Sequence, residues 1–244
     1  IEETITSNYA AVINCAAWTD VDAAETREAE ATAVNGDGVG HLAARCARTG
    51  ATLVHFSTDY VFDGKANQPY STSHPRAPIN AYGRSKAEGE RQLEQSDARY
   101  LCIRTSWLYA PWGKNFVTTM LSLMRERDAL QVVTDQRGRP TSCLHLARAT
   151  AALLSRKATG FWHVTDGGQC TWHGFAKEIA GRIGARCEIH GCTSEQFPRA
   201  AARPAYSVLD IAATEDRIGP MPAWQDNLDQ ALTRIETAAT TSKS

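Results

Sequence analysis

The stretch ATLVHFS at residues 51–57, followed at once by Thr58 and Asp59, decides the fold class of this chain. It is a short, mostly apolar and β-compatible run, which predicts a buried strand. Two further runs of the same kind, AAVINCAA at residues 10–17 and YLCIRTS at residues 100–106, precede and follow it along the chain. We predict that all three are strands of one sheet.

Helical segments separate these strands. Residues 20–34 are rich in Ala and Glu, the helical pattern resumes at residues 41–46, and a further helix is predicted around Tyr82, Lys86 and Leu93. Strands that alternate with helices of this length predict an α/β fold, a Rossmann-like doubly wound parallel sheet with helices on both faces. Right-handed crossovers bring the carboxyl ends of such strands to one edge, where ligands bind.

The next part of the chain continues the alternation. We predict an amphipathic helix at residues 115–127, strands at 129–134 and 160–165 with a helix at about 144–154 between them, and a helix after the N-cap Thr171.

Strands become sparser and turn residues more frequent after about Thr165. We therefore predict a dinucleotide-binding domain at residues 1–165 and a smaller substrate-binding domain at residues 166–244, to which residues 110–128 contribute. The tail at residues 237–244 is of low complexity, and we expect it to be frayed.

Charge and hydropathy argue against two classes of partner. The net charge of the 244 residues is −1, which provides no basic field for nucleic acid. No apolar run approaches the ~20 residues that are needed to span a bilayer, so we expect no membrane association and a cytoplasmic protein.

The cysteines and histidines show no ligand pattern. The seven cysteines are scattered and odd in number, which indicates reduced thiols. The run CEIHGC at residues 187–192 lacks a second ligand pair at zinc-finger spacing, so it predicts a strand with its turn, and we expect no metal site. The seven histidines have no common spacing, and we expect them to be structural.

The helix around residue 82 carries a tyrosine and a lysine four residues apart. Residues i and i+4 share a helix face, so the side chains of Tyr82 and Lys86 would converge. A lysine near a tyrosine hydroxyl lowers a phenol pKa that is otherwise about 10, which makes the phenol a usable acid or base near neutral pH. The same spacing occurs by chance in many helices, so the pair alone predicts chemistry only weakly.

Two strand ends add to this pattern. Ala16 and Ala17 end the first strand, where small side chains would let a planar ligand lie close to the backbone, although tight helix packing explains them equally well. Ser57 and Thr58 end the second strand, and their hydroxyls could hydrogen-bond a substrate carbonyl or, equally, cap a turn. Thr58 precedes Tyr82 by 24 residues, which is one strand-to-helix excursion and would let both meet over one substrate oxygen.

Six blocks of the chain match a known pattern in the correct order: VINCAAWTDVDAAE, STDYVFDG, NAYGRSKAEGE, IRTSWLYA, KNFVTTM and VVTDQRGRPT. Over nearly its whole length the chain resembles the extended short-chain dehydrogenase/reductases, and among them the dTDP-4-dehydrorhamnose reductase family. Residues 197–210, FPRAAARPAYSVLD, resemble that family's C-terminal substrate domain. The resemblance implies an enzyme that uses NADPH or NADH to reduce the C4 keto group of a dTDP-4-keto-6-deoxy sugar, converting dTDP-4-dehydro-L-rhamnose to dTDP-L-rhamnose.

The resemblance also implies catalytic and cofactor-binding roles. Tyr82 corresponds to the general acid that protonates the C4 oxygen of the sugar as hydride arrives from the nicotinamide. Lys86 corresponds to the lysine that holds the nicotinamide ribose and lowers the tyrosine pKa, and Thr58 to the hydroxyl residue that hydrogen-bonds the reacting carbonyl. Three further positions match residues that touch the dinucleotide: Ala16, Ala17 and Thr19.

Four residues correspond to the substrate pocket of that family. Asp59 lies beside Thr58 in the sugar site, and Trp107 matches a tryptophan that lines the sugar pocket. Arg203 is expected to meet the dTDP diphosphate, because a guanidinium suits bidentate phosphate recognition, although a surface arginine is an equal alternative. Arg139 is a weaker candidate for the same contact.

One feature of the family has no counterpart in this sequence, namely the first βαβ unit with the glycine-rich turn that receives the cofactor pyrophosphate. The glycines of NGDGVGH, at residues 35–41, follow a helical stretch instead of a strand, so they predict a helix interruption. We expect that a segment of at least ~30 residues is missing. A fragment of a longer protein is favoured over a family member that has lost its phosphate cradle, and the choice between NADH and NADPH stays open.

Two other functions remain as alternatives. A sibling reductase of another dTDP-4-keto-6-deoxy sugar would need the same Thr58, Tyr82 and Lys86 set. A non-catalytic nucleotide-binding regulatory homologue would explain the missing glycine loop but would not require that set. The sequence also leaves a homodimer open.

Overall fold

The computed structural model describes the backbone of residues 4–241 and the side chains of residues 4–238. The strands in this range are β1 Ala11–Asn14, β2 Thr52–Thr58, β3 Tyr100–Thr105, β4 Leu108–Tyr109, β5 Ala129–Val133, β6 Arg137–Gly138, β7 Thr141–Ser142, β8 Gly160–His163, β9 Cys170–Thr171 and β10 Glu188–Cys192. The helices in this range are α1 Val21–Ala24, α2 Glu28–Thr32, α3 Gly38–Thr49, α4 Ala81–Glu94, α5 Phe116–Glu126, α6 Cys143–Ser155, α7 Trp172–Arg182, α8 Ala212–Ile218 and α9 Trp224–Thr241.

The main sheet has four parallel strands in the order β1-β2-β3-β8. Alternate residues of β2 face opposite sides: Leu53 packs against α3 and α4, whereas Val54 packs against α6. The predicted α/β fold, a parallel sheet with helices on both faces, is therefore confirmed. Pairing places Ser57 opposite Arg104 and Thr58 opposite Thr105, so the polar ends of β2 and β3 meet at one edge.

The helix predicted at residues 20–34 is broken into two. The α1 helix ends at Ala24, the α2 helix begins at Glu28, and a π-helical turn at Ala33–Asp37 leads without a break into α3. The helix interruption predicted at the glycine run is thus present only as this π turn at Gly36, because Gly38 and Gly40 lie within α3. A Cβ on Gly36 would lie 2.7 Å from the Glu88 side chain, so the glycine allows α4 to pack closely.

The start of α4 is fixed beside the end of β2. Asn80 caps the helix, because its side-chain oxygen accepts a 2.7 Å hydrogen bond from the Gly83 amide. A Cβ on Gly83 would collide with the carbonyl oxygen of Tyr60, so only glycine lets the first turn lie against this segment. Tyr82 is thereby brought close to Thr58.

A second cluster of apolar side chains packs around Phe175, between α5, α7 and α9. Here β5 pairs in parallel with β10, so the predicted strand at residues 187–192 is confirmed. The same pairing places β5 outside the main sheet, although the sequence assigns residues 129–133 to the first of its two domains. The expectation of a frayed tail is wrong up to residue 241, because α9 runs to Thr241; residues 242–244 lie outside the described part.

None of the helices found between residues 4 and 241 is both long and apolar enough to pass through a lipid bilayer.

Candidate active site

A cavity of about 320 Å³ opens at the carboxyl edge of the main sheet. Its walls include all of the residues that the sequence assigns to cofactor binding: Ala16, Ala17, Thr19, Tyr82 and Lys86. The first three follow β1, and the last two lie on one face of α4. The structure therefore brings together residues that are up to 70 positions apart along the chain.

Tyr82 and Thr58 meet beside this cavity. The Thr58 hydroxyl lies close enough to the Tyr82 hydroxyl to affect its pKa, and the Tyr82 ring packs edge-on against Tyr60 with centroids 5.9 Å apart. The ring is partly accessible, but its hydroxyl end is enclosed. Burial raises the pKa of Tyr82 to about 12, the neighbouring Thr58 hydroxyl opposes this shift, and the nearby Asp59 carboxyl adds to it. The phenol is therefore protonated at neutral pH, as a proton donor must be.

The predicted effect of Lys86 on Tyr82 is wrong in this structure. The Lys86 ammonium donates to the Phe56 carbonyl at 2.5 Å and contacts His55 Nε2 at 3.4 Å, both on β2, and it is not among the groups that shift the pKa of Tyr82. Burial lowers the pKa of Lys86 itself to about 8, while Cys102 and Glu90 oppose the shift. For Tyr82, the loss of hydration on burial outweighs the lowering of its pKa that the i, i+4 spacing to Lys86 suggests.

Two polar residues that sequence reasoning missed hold the rear of the cavity. Asn14 Nδ2 lies 3.2 Å from His55 Nδ1, and Asn14 Oδ1 accepts a 3.1 Å hydrogen bond from the Ala16 amide. Burial, followed by the charge of Lys86, keeps the pKa of His55 well below its usual value, so its imidazole is neutral. These contacts connect the end of β1 to Lys86. They depend on the pairing of Asn14 with His55 in the sheet, which no local sequence pattern reveals.

Asp59 is buried behind Thr58. Its Oδ1 accepts a 3.1 Å hydrogen bond from the Thr58 hydroxyl, whereas no group forms a hydrogen bond of normal geometry with Oδ2. Burial raises the pKa of Asp59 to about 7, and the approaching Ser207 hydroxyl partly opposes this. Ser207 brings the C-terminal part of the chain to this site.

A larger cavity of about 710 Å³ adjoins this region and includes Tyr60 in its wall. Arg203 and Arg199 lie on one side of it, and both form ion pairs with Asp22, at 3.1 and 2.5 Å respectively. Arg203 also donates to the Ala201 carbonyl at 3.2 Å. Arg203 is thus mostly buried and held in place, unlike a mobile surface arginine.

Trp107 and Arg139 line neither of these two cavities. Trp107 stacks on Trp172, which does line the larger one. Arg139 is half-buried, burial lowers its pKa, and its Nε is enclosed without a hydrogen-bond partner. Within the described residues, no group of three or more His, Cys, Asp or Glu side chains is placed to hold a metal ion.

Comparison with known proteins decides the family. The model of the RmlD substrate binding domain matches residues 1–237. A dTDP-4-dehydrorhamnose reductase from Burkholderia thailandensis is 42% identical to this chain, over 88% of the chain and 78% of the relative. The chain belongs to the RmlD family.

Two further members show the range of this similarity. A dTDP-4-keto-6-deoxy-D-glucose reductase from Streptomyces niveus is 40% identical, over 91% of the chain and 78% of the relative. The crystal structure of a dTDP-4-dehydrorhamnose reductase from Bacillus anthracis in complex with NADP superposes with a TM-score of 0.89 at 37% identity, over 92% of this chain and 80% of that one.

In this RmlD family member, the smaller cavity suits the nicotinamide end of a dinucleotide. Ala16 and Ala17 leave its wall free of long side chains, and the Lys86 ammonium and the Tyr82 phenol supply donors that fit ribose hydroxyls. The glycine run at residues 35–41 offers no phosphate cradle, because Gly36 and Gly40 face side chains of α4.

Proposed function

We propose that this protein is an NAD(P)H-dependent oxidoreductase that reduces the C4 keto group of dTDP-4-dehydro-L-rhamnose and yields dTDP-L-rhamnose. One observation carries the proposal: the enclosed, protonated phenol of Tyr82 lies beside the Thr58 hydroxyl at the edge of the cavity that contains Lys86. Membership of the RmlD family supports the same reaction.

The residues at the cavity have separate roles in this proposal. Tyr82 donates its proton to the developing alkoxide at C4, and Thr58 hydrogen-bonds the same oxygen. Lys86 binds the ribose of the nicotinamide, beside Ala16, Ala17 and Thr19. The bound cofactor, NADPH or NADH, supplies the hydride.

The larger cavity is proposed as the site of the dTDP-4-keto-6-deoxy sugar. Arg203 would face the diphosphate, with Asp22 holding its guanidinium. Asp59 is proposed for the sugar end, and Trp107 supports the wall of the pocket through Trp172. This arrangement corresponds to a dinucleotide-binding domain at residues 1–165 and a substrate-binding domain at residues 166–244 with help from residues 110–128.

Turnover of dTDP-4-dehydrorhamnose with NADPH or NADH tests the proposal, with the loss of nicotinamide absorbance and the sugar product both measured. Tyr82→Phe is expected to lower kcat by roughly 10²- to 10⁴-fold, because it removes the proton donor, while calorimetry with dTDP shows unchanged binding. Tyr100→Phe, a partly buried tyrosine on the far end of β3, is the matched control. A Tyr82→Phe variant with the wild-type rate would refute the role of this phenol.

A sibling activity is the second candidate, because the Streptomyces niveus relative is named for another dTDP-4-keto-6-deoxy sugar. Parallel assays with several dTDP-4-keto sugars would separate the two reactions by kcat/KM. Binding of NADPH without oxidation on any of these sugars would instead favour a non-catalytic regulatory homologue.

The proposal also concerns partners and location. We expect a cytoplasmic homodimer without affinity for nucleic acid, which light scattering, cell fractionation and gel-shift measurements would check. The net charge of −1 supports the absence of nucleic-acid binding.

A further inference from the structure

A buried carboxylate, Glu90, joins three elements behind the candidate active site. It accepts hydrogen bonds from the Ser57 hydroxyl at 2.6 Å and from Arg104 Nε and Nη2 at 2.8 and 2.7 Å. Arg76 completes the set at 3.2 Å. Glu90, Ser57 and Arg104 are almost entirely removed from solvent, so the ion pair lies in a region where charges interact strongly.

The network reaches the cavity directly. Ser57 lines the cavity and precedes Thr58 at the end of β2, and Glu90 follows Lys86 by one turn of α4. Arg104 lies opposite Ser57 in the pairing of β2 with β3. The Glu90 carboxylate therefore fixes α4 relative to the ends of β2 and β3. Its contacts lie one residue from Thr58 along β2 and one helical turn from Lys86 along α4.

The network extends to the C-terminal part of the chain. Arg104 lies between the rings of Phe62 and Phe161, at 5.1 and 4.7 Å from their centroids. Its Nη1 contacts His163 Nε2 at 3.4 Å, and His163 Nδ1 lies 3.1 Å from the Asp210 carbonyl. The segment that carries Ser207 and Asp210 is thus connected to the same guanidinium.

Stability alone does not explain such an arrangement. A buried ion pair costs desolvation energy, and apolar residues of similar volume often replace one without loss of stability. A bidentate pair does, however, fix distance and orientation in a way that an apolar contact does not. Resting on the proposed function, we propose that Glu90 is a positioning residue, which through Ser57 and Arg104 holds α4 and β2 so that Tyr82 lies beside Thr58 and Lys86 lies in the cavity wall.

Glu90 also acts on Lys86 through its charge. Burial lowers the pKa of Lys86, and the two groups that raise it are Cys102 on β3 and Glu90 on its own helix. The Cys102 thiol is neutral, because burial raises its pKa well above the usual value, and His55 on β2 is neutral as well. Loss of the Glu90 charge therefore lowers the pKa of Lys86 further.

Three variants of the full chain test the proposal by steady-state kinetics, with folding followed by circular dichroism and thermal unfolding. Ser57→Ala keeps the ion pair and removes one hydroxyl. It is expected to lower kcat about fivefold, which is the effect of losing one hydrogen bond, with unchanged KM. Glu90→Gln is expected to lower kcat by ~10- to 100-fold, because displacements near 1 Å have effects of this size. Its alkaline pH limb should move to lower pH.

The double variant Glu90→Leu/Arg104→Met separates positioning from stability. Arg76 keeps Glu94 as its partner at 2.6 Å, so no buried charge is left unpaired. The double variant is expected to unfold at or near the wild-type temperature and yet to retain the low kcat. Arg84→Ala, which removes an exposed ion pair with Glu28 on the solvent side of α4, is the control and should match the wild type.

Two results would overturn the proposal: a folded double variant with the wild-type kcat, or a Ser57→Ala variant with unchanged kcat. Both results remain interpretable even if the Glu90→Gln variant does not fold. Failure of the proposed function is distinct, because the wild-type chain would then bind NADPH and reduce none of the dTDP-4-keto sugars.

Discussion

Trp107 lies flat against Trp172, with ring centroids 3.6 Å apart and planes 11° from parallel. The backbone of Trp107 is left-handed, with φ of 48°, a conformation that bulky residues rarely adopt and that costs of the order of 1–3 kcal/mol. Because Trp172 lines the larger cavity, this strained residue supports the wall of the proposed substrate pocket. Strain of this kind persists where the surrounding packing enforces it.

Gly138→Ala tests that support. A Cβ at this position would lie 2.6 Å from the Trp107 ring, so the ring must shift, which disturbs its stacking on Trp172. We expect KM for the nucleotide sugar to rise about tenfold, which corresponds to ~1.4 kcal/mol of binding, with NADPH affinity unchanged. Gly181→Ala on α7, where a Cβ meets nothing within 4 Å, is the control and should leave KM unaltered. A folded Gly138→Ala variant with the wild-type KM would contradict this account.

Local sequence patterns were sufficient to predict the sheet and to identify candidate residues that line one cavity. Strand runs at residues 51–57 and 100–106 differ from the observed strands by one residue at each end or fewer. The i, i+4 spacing placed Tyr82 and Lys86 on one helix, and both do reach the same cavity. These features depend on periodicity and on parallel topology, which a sequence displays directly.

Contacts that depend on tertiary packing were not predictable. Asn14 and His55 are 41 positions apart, and Glu90 reaches Ser57 across 33. The pKa of Tyr82 was predicted in the wrong direction, because spacing on a helix does not reveal how completely a hydroxyl is enclosed. Burial and charge at a site are properties of the packed chain.

The pH dependence of activity should follow Lys86. Burial lowers its pKa to about 8, so its ammonium loses the proton as the pH rises through that value. Tyr82, with a pKa raised to about 12, stays protonated over the same range. We expect kcat/KM to fall above about pH 8, and Lys86→Arg, whose side chain keeps its charge, to show a flatter alkaline limb at a lower overall rate. An identical limb in Lys86→Arg would exclude Lys86 as the titrating group.

Stability should depend on pH through Asp59. Its pKa rises from 3.8 to about 7 on folding because of burial, so the folded state binds more protons than the unfolded state between these values. The contribution of Asp59 to stability is then highest below pH 3.8 and falls as the pH rises to about 7. A shift of ~3 units corresponds to an upper limit of about 4 kcal/mol.

Asp59→Asn removes this titration and keeps the shape of the side chain. Urea unfolding should show little difference from the wild type near pH 4, and a variant that is more stable by up to about 4 kcal/mol at pH 8. Asp63→Asn is expected to change the free energy of unfolding in the opposite direction. A hydrogen bond from Tyr70 lowers the pKa of Asp63, so removal of this carboxylate should destabilise the protein at neutral pH. Equal stability of Asp59→Asn and the wild type at pH 8 would argue against a carboxylate whose charged form is destabilised by burial.

Asn80→Ala should separate the stability of α4 from its role in catalysis. Asn80 caps the helix through the Gly83 amide and also donates to the Ala202 carbonyl at 2.8 Å, so it fixes the first turn, in which Tyr82 lies. Loss of the cap is expected to cost ~1–2 kcal/mol of unfolding free energy and to lower kcat, because the phenol is then less firmly held beside Thr58. Urea unfolding and steady-state kinetics measure the two effects separately.

Asn115→Ala is the matched control for this prediction. Asn115 caps α5 in the same way, by accepting a 3.2 Å hydrogen bond from the Thr118 amide. Its removal should lower the free energy of unfolding by a similar amount while kcat is retained, because α5 does not carry the proton donor. Any loss of activity should appear in KM for the nucleotide sugar, because α5 lines the larger cavity. If both variants lost kcat in proportion to stability, the effect of Asn80 would be general loosening of the fold and not the placement of Tyr82.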